Sequence, residues 1–333
     1  MLNPEQKLNQ KVFSHDVEQL PIRKGFGEGL LFAAEKDERV VGLCADLTDS
    51  TVMNLFKAKF PTRFIEMGVA EQNLASVASG MAAMGKIPFI TSYAMFSPGR
   101  NWEQIRTTIC YNNVPVKIAG SHAGVSVGPD GGTHQAIEDI AIMRVIPRMV
   151  VISPCDAIEA RKATLAAAQS PDPTYIRLAR EKTPIITTEA TPFTIGKAHI
   201  IFHPEGTQKA DVGIIATGAL VHKALVAAQK LSQHGIFVKV LNVATIKPLD
   251  EEAVWRLAHE TKAIVTVEEH QIKGGLGGAV AECLAVHYPV PIEFIGVHDV
   301  FGQSGTPEEL IEHYGMGESH IITAVRKVIL RKK

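Results

Sequence analysis

The chain has 333 residues, of which 46% are hydrophobic and 21% charged, so it can build sizeable cores and is too long for one typical domain. Its formal net charge of −1 excludes a basic surface that would attract nucleic acid or anionic lipid. No apolar run reaches the ~18 residues of a membrane span, and the N-terminus lacks the order of a signal peptide, so we expect a cytoplasmic protein.

The first part of the chain predicts an arm followed by an α/β domain. Residues 1–20 are polar and mixed in charge, which predicts an arm that has little core to join and that a partner could order. A domain over 21–186 then alternates strand and helix signals, which implies a parallel sheet covered on both faces. Its strands are predicted at 40–45, 64–65, 87–92, 114–119, 149–153 and 174–177, and its helices from 21 onward and at 54–60, 71–84, 102–111, 136–145 and 157–169.

A smaller α/β domain is predicted after a linker. The stretch from Pro184 to Pro204 is rich in threonine and proline and interrupts the alternation of strands and helices. We assign 187–204 as the linker. The second domain, 205–333, has predicted strands at 212–216, 237–243, 263–267 and 292–295, with helices at 222–234, 251–261, 277–287, 307–314 and 319–330.

The segment from Arg63 to Leu74 reads as a short strand that turns at Gly68 and enters a helix of small apolar residues. Such a turn lies at the carboxyl edge of a parallel sheet, where open α/β folds bind ligands. Glu71 falls in the first turn and has no cationic neighbour in sequence, so it could share a proton with a ligand nitrogen. The alternative is a solvated glutamate favoured there by the helix dipole.

A glycine-rich loop spans 120–135, between a predicted strand and a predicted helix. Its glycines and proline suit a loop that brings backbone close to a ligand. His122, Asp130 and His134 lie in it and could act as proton donors and acceptors at neutral pH. Each of them taken singly could instead be an ordinary loop residue.

Four segments together carry a family resemblance: Ala-Asp-Leu-Thr-Asp-Ser at 45–50, Gly-Val-Ala-Glu-Gln at 68–72, Ser-Tyr-Ala-Met-Phe at 92–96 and Gly-Pro-Asp-Gly-Gly-Thr-His-Gln at 128–135. In order and spacing the chain resembles the C-terminal portion of a transketolase, from about Pro21 onward. The resemblance implies a pyrimidine-binding thiamine-diphosphate fold with a parallel sheet, followed by the smaller transketolase C-terminal α/β domain.

The resemblance also implies the cofactor, thiamine diphosphate, and the residues that hold its pyrimidine. Glu71 matches the family glutamate that bonds to a ring nitrogen and promotes activation of the cofactor. Tyr93 and Phe96 match aromatic residues that stack on the ring, and Asp46 matches a residue near the cofactor.

The sugar contacts follow from the same resemblance. His134 and Asp130 match contacts to the hydroxyls of the transferred two-carbon unit, and we group both with Glu71 as catalytic. His122 matches a histidine that reaches the acceptor and its phosphate. Arg23, Ser50 and Arg180 fall at the family's phosphate clamp, for which the guanidinium fork is well suited. The alternative is that Arg23 and Arg180 are ordinary polar residues of the surface.

The chain is expected to hold no metal itself. Cys44, Cys110, Cys155 and Cys283 form no C-x-x-C pair, which argues against zinc and against a disulfide framework. The family binds Mg²⁺ and the diphosphate through Gly-Asp-Gly with an asparagine about thirty residues later, and this pattern is missing here. The resemblance therefore implies an N-terminal partner subunit that holds the diphosphate and Mg²⁺ (or Ca²⁺), in an α2β2 heterotetramer that acts on sugar phosphates.

Other functions remain open at this point. Ala70-Glu71-Gln72 replaces the usual Arg-Glu-His and is closer to deoxyxylulose-phosphate synthases, which favours a carboligase of that type. The intact set of His122, Ser50 and Arg23 disfavours it. The β subunit of a 2-oxo acid dehydrogenase has a similar size, but the Asp-Gly-Gly-Thr-His-Gln segment argues against it. A non-catalytic partner in an assembly is a further alternative, disfavoured because Glu71, His122, Asp130 and His134 are all retained.

Overall fold

The computed structural model describes residues 1–332, which form two α/β units and a separate two-stranded antiparallel sheet. The strands in that part of the chain are β1 (Gln19–Pro21), β2 (Val40–Cys44), β3 (Phe64–Glu66), β4 (Ile87–Tyr93), β5 (Lys117–Ser121), β6 (Val150–Ile152), β7 (Thr174–Arg177), β8 (Lys182–Pro184), β9 (His199–Phe202), β10 (Val212–Ala216), β11 (Val238–Asn242), β12 (Thr245–Lys247), β13 (Ile264–Gln271) and β14 (Ile292–Val297). The α-helices are α1 (Ile22–Lys36), α2 (Asn54–Lys59), α3 (Glu71–Ala83), α4 (Trp102–Gln104), α5 (Asp139–Arg144), α6 (Ala157–Gln169), α7 (Val221–Gln233), α8 (Glu251–Thr261), α9 (Leu276–His287), α10 (Pro307–His313) and α11 (Glu318–Ile329). Among these residues, no helix is long and apolar enough to cross a membrane.

The first unit contains a seven-stranded sheet in the order β12-β6-β7-β5-β4-β2-β3. All neighbours are parallel except β12, which comes from the second half of the chain and runs antiparallel to β6. Successive residues of β4 alternate between two cores, as expected for a strand covered on both faces. Phe89 packs in one core with Phe26 of α1, and Ile90 packs in the other with Leu74 of α3. The predicted α/β fold with helices on both faces is confirmed.

Helices α1 and α6 pack unusually close because α1 presents glycine to its neighbour. A Cβ added at Gly25 would lie 1.8 Å from the carbonyl oxygen of Ala157, and one at Gly29 would lie 2.8 Å from that of Arg161. The helix backbones themselves are therefore in contact. This packing fixes the start of α1, which carries Arg23, beside the start of α6.

The second unit has a five-stranded sheet in the order β14-β13-β10-β11-β9. Its inner strands are parallel, but β9 runs antiparallel to β11 at one edge. Strand β9 lies inside the stretch assigned as linker, so that assignment was wrong for residues 199–202. The strand is too short for a clear alternation pattern in the sequence.

The N-terminal arm also differs from its prediction. Leu8 and Val12 are 3% and 0% exposed and belong to the core of the second unit. The arm is further held by the amide of Asn9, which donates to the carbonyl of Ile186 at 2.9 Å. The arm therefore packs against a core of its own chain.

Three elements of the first unit differ from their predictions in helix type or in starting residue. The helix predicted at 102–111 is a short α-helix that continues as a π-helix, Ile105–Cys110. Strand β5 starts at Lys117 rather than 114, since Pro115 has no N–H to donate to a ladder. Helix α5 starts at Asp139 rather than 136, because Ala136 instead forms a bridge with Ala123.

Candidate functional site

The candidate site lies at the carboxyl ends of three neighbouring strands of the first sheet, β5, β4 and β2. The loop after β2 carries Asp46 and Ser50, strand β4 ends at Tyr93, and the glycine-rich loop follows β5. Because parallel strands all end at the same edge, segments far apart in sequence converge here. Helix α3, which begins at Glu71, follows the adjacent edge strand β3.

Glu71 is the first residue of α3 and is only 4% exposed. Its carboxylate atom Oε2 is buried and has no hydrogen-bond partner among residues 1–332. Its backbone carbonyl accepts a hydrogen bond of 2.9 Å from the amide nitrogen of buried Asn101. A buried acceptor without a partner is costly. Glu71 is therefore not the solvated helix-dipole glutamate, and its free oxygen suits a donor or a shared proton from a ligand.

Glu66, which the sequence did not single out, organises the backbone beside Glu71. Its carboxylate accepts hydrogen bonds from the amides of Asp46 (2.8 Å) and Gly68 (3.1 Å) and from the hydroxyl of Thr48 (2.8 Å). Burial alone would raise the pKa of Glu66, but these three hydrogen bonds lower it below its ordinary value. Glu66 thus links the loop after β2 to the turn before α3. Its place directly after the strand predicted at 64–65 was the available signal.

The predicted aromatic and histidine residues form one cluster. The ring of Tyr93 stacks on that of His122, with centroids 3.9 Å apart and an interplanar angle of 23°. Tyr93 and Phe96 are nearly parallel at 6.1 Å, and Phe96 meets His134 edge-on at 5.4 Å. The residues assigned to the cofactor and those assigned to the sugar therefore contact each other, which the sequence analysis did not anticipate.

His122 is a neutral imidazole at neutral pH. Burial lowers the pKa of His122 to about 3, and the positive charges of Arg23, Arg180 and His134 add to this effect. The ring nitrogen Nδ1 lies 2.9 Å from the hydroxyl of Ser121. The charged imidazolium form is therefore disfavoured at this position. It can still donate or accept hydrogen bonds through its neutral ring.

Arg23 and Arg180, from opposite ends of the first unit, lie side by side. The guanidinium of Arg23 donates to the carbonyl of Arg180, and the guanidinium of Arg180 donates to the carbonyl of Val127. Arg180 is also 3.9 Å from the carboxylate of Asp130. Burial and the charge of Arg180 lower the pKa of Arg23, with Glu181 and Tyr93 opposing them. An anion bound beside these two cations would relieve their repulsion.

The two predicted residues of the loop after β2 are less closely tied to this cluster. Asp46 has a left-handed backbone, with φ 57°, and an exposed side chain. Ser50 is half-buried, and no hydrogen bond among residues 1–332 joins it to Arg23 or Arg180.

Residues of the second unit form hydrogen bonds with the glycine-rich loop. The carboxylate of Glu269, on β13, accepts a 2.6 Å hydrogen bond from the amide of Ser126. The side-chain amide of Gln135 donates to the carbonyls of Val125 (3.1 Å) and Gln303 (2.9 Å). At Gly124, with φ 90°, a Cβ would lie 2.2 Å from the Glu269 carboxylate. Sequence reasoning missed Glu269 and Gln303, since these contacts span 143 and 168 residues and leave no local pattern.

A buried ion pair supports the base of the same loop. The Nε atom of Arg177 is 2.8 Å from the Asp139 carboxylate, which also accepts a 2.7 Å hydrogen bond from the hydroxyl of Tyr175. The guanidinium of Arg177 also donates to the backbone carbonyl of Glu269 at 2.8 Å. Asp139 and Arg177 are 1% and 6% exposed. The pair thus joins the first sheet to the strand that carries Glu269.

Two family profiles match the chain. The transketolase pyrimidine-binding domain matches residues 18–185, and the transketolase C-terminal domain matches residues 205–321. A protein of Methanocaldococcus jannaschii named for the C-terminal section of transketolase is 45% identical over 302 residues, which cover 90% of this chain and 93% of that protein. The 6-deoxy-6-sulfo-D-fructose transketolase subunit SqwH of Clostridium sp. (strain MSTE9) is 42% identical and covers 96% of this chain and 98% of its own length.

One solved structure is similar over nearly the whole chain. It is described as a split gene transketolase in an inactive β4 tetramer, with 42% sequence identity and a TM-score of 0.87. The match covers 94% of this chain and 100% of that one.

Proposed function

This chain belongs to the transketolase family of transferases, and we propose that it is the C-terminal subunit of a two-component, thiamine-diphosphate-dependent transketolase. The complete enzyme would move a two-carbon ketol unit from a ketose phosphate to an aldose acceptor. The observation that carries the proposal is the buried, unpartnered carboxylate oxygen of Glu71 at the carboxyl edge of the first sheet.

Glu71 fits the pyrimidine half of thiamine diphosphate. A free buried acceptor at a helix start suits a ring nitrogen, and the nearly parallel rings of Tyr93 and Phe96 offer an aromatic surface at the carboxyl end of β4. Bound cofactor would supply a carbanion able to add to the substrate carbonyl. Within this chain, Glu71 would hold a proton against the ring, and Glu66 would keep Asp46 and the turn at Gly68 in place.

A partner subunit would complete the site. The diphosphate and Mg²⁺ (or Ca²⁺) need a Gly-Asp-Gly segment that this sequence does not contain. The related split transketolase described as an inactive β4 tetramer supports the view that such a subunit needs its partner. We therefore assign an N-terminal subunit as the partner, in an α2β2 heterotetramer.

The substrate would carry an anionic group at its far end. Arg23 and Arg180 form a cationic pair, and neutral His122 lies against them as a hydrogen-bonding group. His134 and Asp130 would contact the hydroxyls of the transferred unit, and Ser50 would contact the phosphate. The related subunit named for 6-deoxy-6-sulfo-D-fructose supports an anionic sugar, since a sulfonate and a phosphate both suit arginine.

The proposed function is tested by reconstitution. The purified chain is expected to show no ketol transfer with thiamine diphosphate and Mg²⁺, because it lacks the residues that bind the diphosphate. Activity is expected when it is mixed with an N-terminal transketolase subunit encoded beside it. Ketol transfer is measured with a ketose phosphate donor and an aldose phosphate acceptor. Ketol transfer by the chain alone would contradict the proposal. So would the absence of transfer by a stable complex of the two subunits with every sugar phosphate pair tested.

The arginine pair is tested by replacing Arg180 with alanine in the reconstituted enzyme. A charge-assisted contact contributes about 1.5–3 kcal/mol, so kcat/KM for an aldose phosphate should fall roughly ten- to a hundredfold. The value of kcat/KM for the unphosphorylated parent sugar should change little.

The control for this prediction is Arg326→Ala, which removes an exposed arginine on α11. It should leave kcat/KM unchanged for both acceptors. An equal loss with both acceptors in Arg180→Ala would assign Arg180 to support of the loop through Val127, and no loss with either would place it outside the site.

A further inference from the structure

Three side chains of the second unit meet on its surface, where helices α8 and α9 pack together. Glu251 is the first residue of α8, and Cys283 and His287 lie one turn apart on α9. One ligand atom from each of the three residues lies within 4.8 Å of the other two. The closest pair is the Nε2 atom of His287 and the Oε2 atom of Glu251, at 3.2 Å.

These side chains match the donors that zinc prefers. Thiolate, imidazole and carboxylate bind Zn²⁺ at about 2.3, 2.0–2.1 and 2.0–2.2 Å, which places tetrahedral ligand atoms roughly 3.3–3.8 Å apart. The three ligand atoms already lie within 4.8 Å of one another. Cys283 and His287 are four residues apart, so both project from the same face of α9.

The charges at this position also favour a divalent cation. Binding of Zn²⁺ to the Cys283 sulfur would displace the thiol proton. A thiolate and a carboxylate would together neutralise the two charges of the ion.

We propose that Glu251, Cys283 and His287 bind a Zn²⁺ ion that links the start of α8 to the end of α9, with water as the fourth ligand. The site is separate from Glu71 and from the metal that the partner subunit would hold. It revises the expectation that the cysteines have no part in metal binding. That expectation considered spacing within one segment, whereas the third ligand lies 32 residues before Cys283 and comes from another helix.

The test uses Co²⁺ as a spectroscopic probe for Zn²⁺. The purified full chain, stripped with a chelator, is expected to bind one equivalent of Co²⁺ and to develop a thiolate-to-cobalt charge-transfer band that Zn²⁺ abolishes. Cys283→Ser should remove the band. Glu251→Gln and His287→Ala should weaken binding at least as much as the roughly 10–100-fold known for loss of an outer-shell partner.

A matched control distinguishes this site from ordinary surface binding. His320 and Glu312 form another exposed pair, 3.6 Å apart, with no cysteine in the same group. His320→Ala should leave cobalt binding unchanged. The proposal is overturned if no charge-transfer band forms, if the band persists in Cys283→Ser, or if His320→Ala weakens binding as much as His287→Ala. Should Cys283→Ser fail to fold, unaltered affinity in Glu251→Gln, a change at an exposed side chain, would also overturn it.

Discussion

Replacing Glu71 with glutamine is expected to lower kcat of the reconstituted enzyme by at least about 10²-fold, the lower end of the range for a proton-transferring group. The Glu71 carboxylate is buried and has a free oxygen, so its amide replacement fits the same space. An amide can form a hydrogen bond with a ring nitrogen but cannot share its proton. The loss should therefore appear in kcat with saturating thiamine diphosphate, while the chain keeps its fold.

Glu252→Gln provides the comparison for this variant. Glu252 is also a first-turn glutamate, but it lies exposed on α8 and pairs with Arg256. Its replacement should leave kcat unchanged. A wild-type kcat in Glu71→Gln, measured in the same assembly, would mean that Glu71 only stabilises the start of α3.

Replacing Arg177 with methionine is expected to destabilise the chain by about 3–5 kcal/mol, the cost of leaving one member of a buried ion pair unpaired. Asp139 would keep its hydrogen bond from Tyr175 but lose the cation 2.8 Å away. Loss of the contact to Glu269 should also loosen the glycine-rich loop from the second unit. The free energy of unfolding in urea, at one fixed protein concentration, measures the effect.

The control for the ion pair is Arg256→Met, which removes the arginine of an exposed pair on α8. It should change stability by less than about 1 kcal/mol. The double variant Arg177→Met with Asp139→Leu should recover part of the loss, since it removes both charges of the pair. A loss below about 1 kcal/mol in Arg177→Met alone would contradict the importance of the pair.

The same pair predicts a pH dependence of stability. Burial by itself would raise the pKa of Asp139, but Arg177, His270 and Tyr175 lower it below the ordinary aspartate value. The unfolded chain thus binds this proton more readily than the folded one. The contribution of ionised Asp139 to the free energy of unfolding is complete above the ordinary pKa of aspartate. It is lost as the pH falls through the lowered pKa of Asp139 in the folded state.

Much of the fold was predictable because regular alternation is a local property. The sequence predicts a strand before each helix of the first unit except the first helix, and chain connectivity then favours a parallel sheet with its ligand site at the carboxyl edge. The turn at Gly68 and the position of Glu71 in the first turn follow from the same local reading. The assigned roles of Glu71, Tyr93 and the two arginines came from family resemblance and remain to be tested.

Tertiary structure alone decided which distant residues meet. Nothing near Leu8 or Val12 in sequence shows that they enter the core of the second unit, and nothing near Ser126 indicates Glu269, 143 residues later. The neutral state of His122 likewise depends on burial and on Arg23 and Arg180, which lie elsewhere in the chain. Periodicity and turn residues report backbone geometry over a few positions. Contacts between units depend instead on strand order and on how the two sheets dock, which local sequence does not encode.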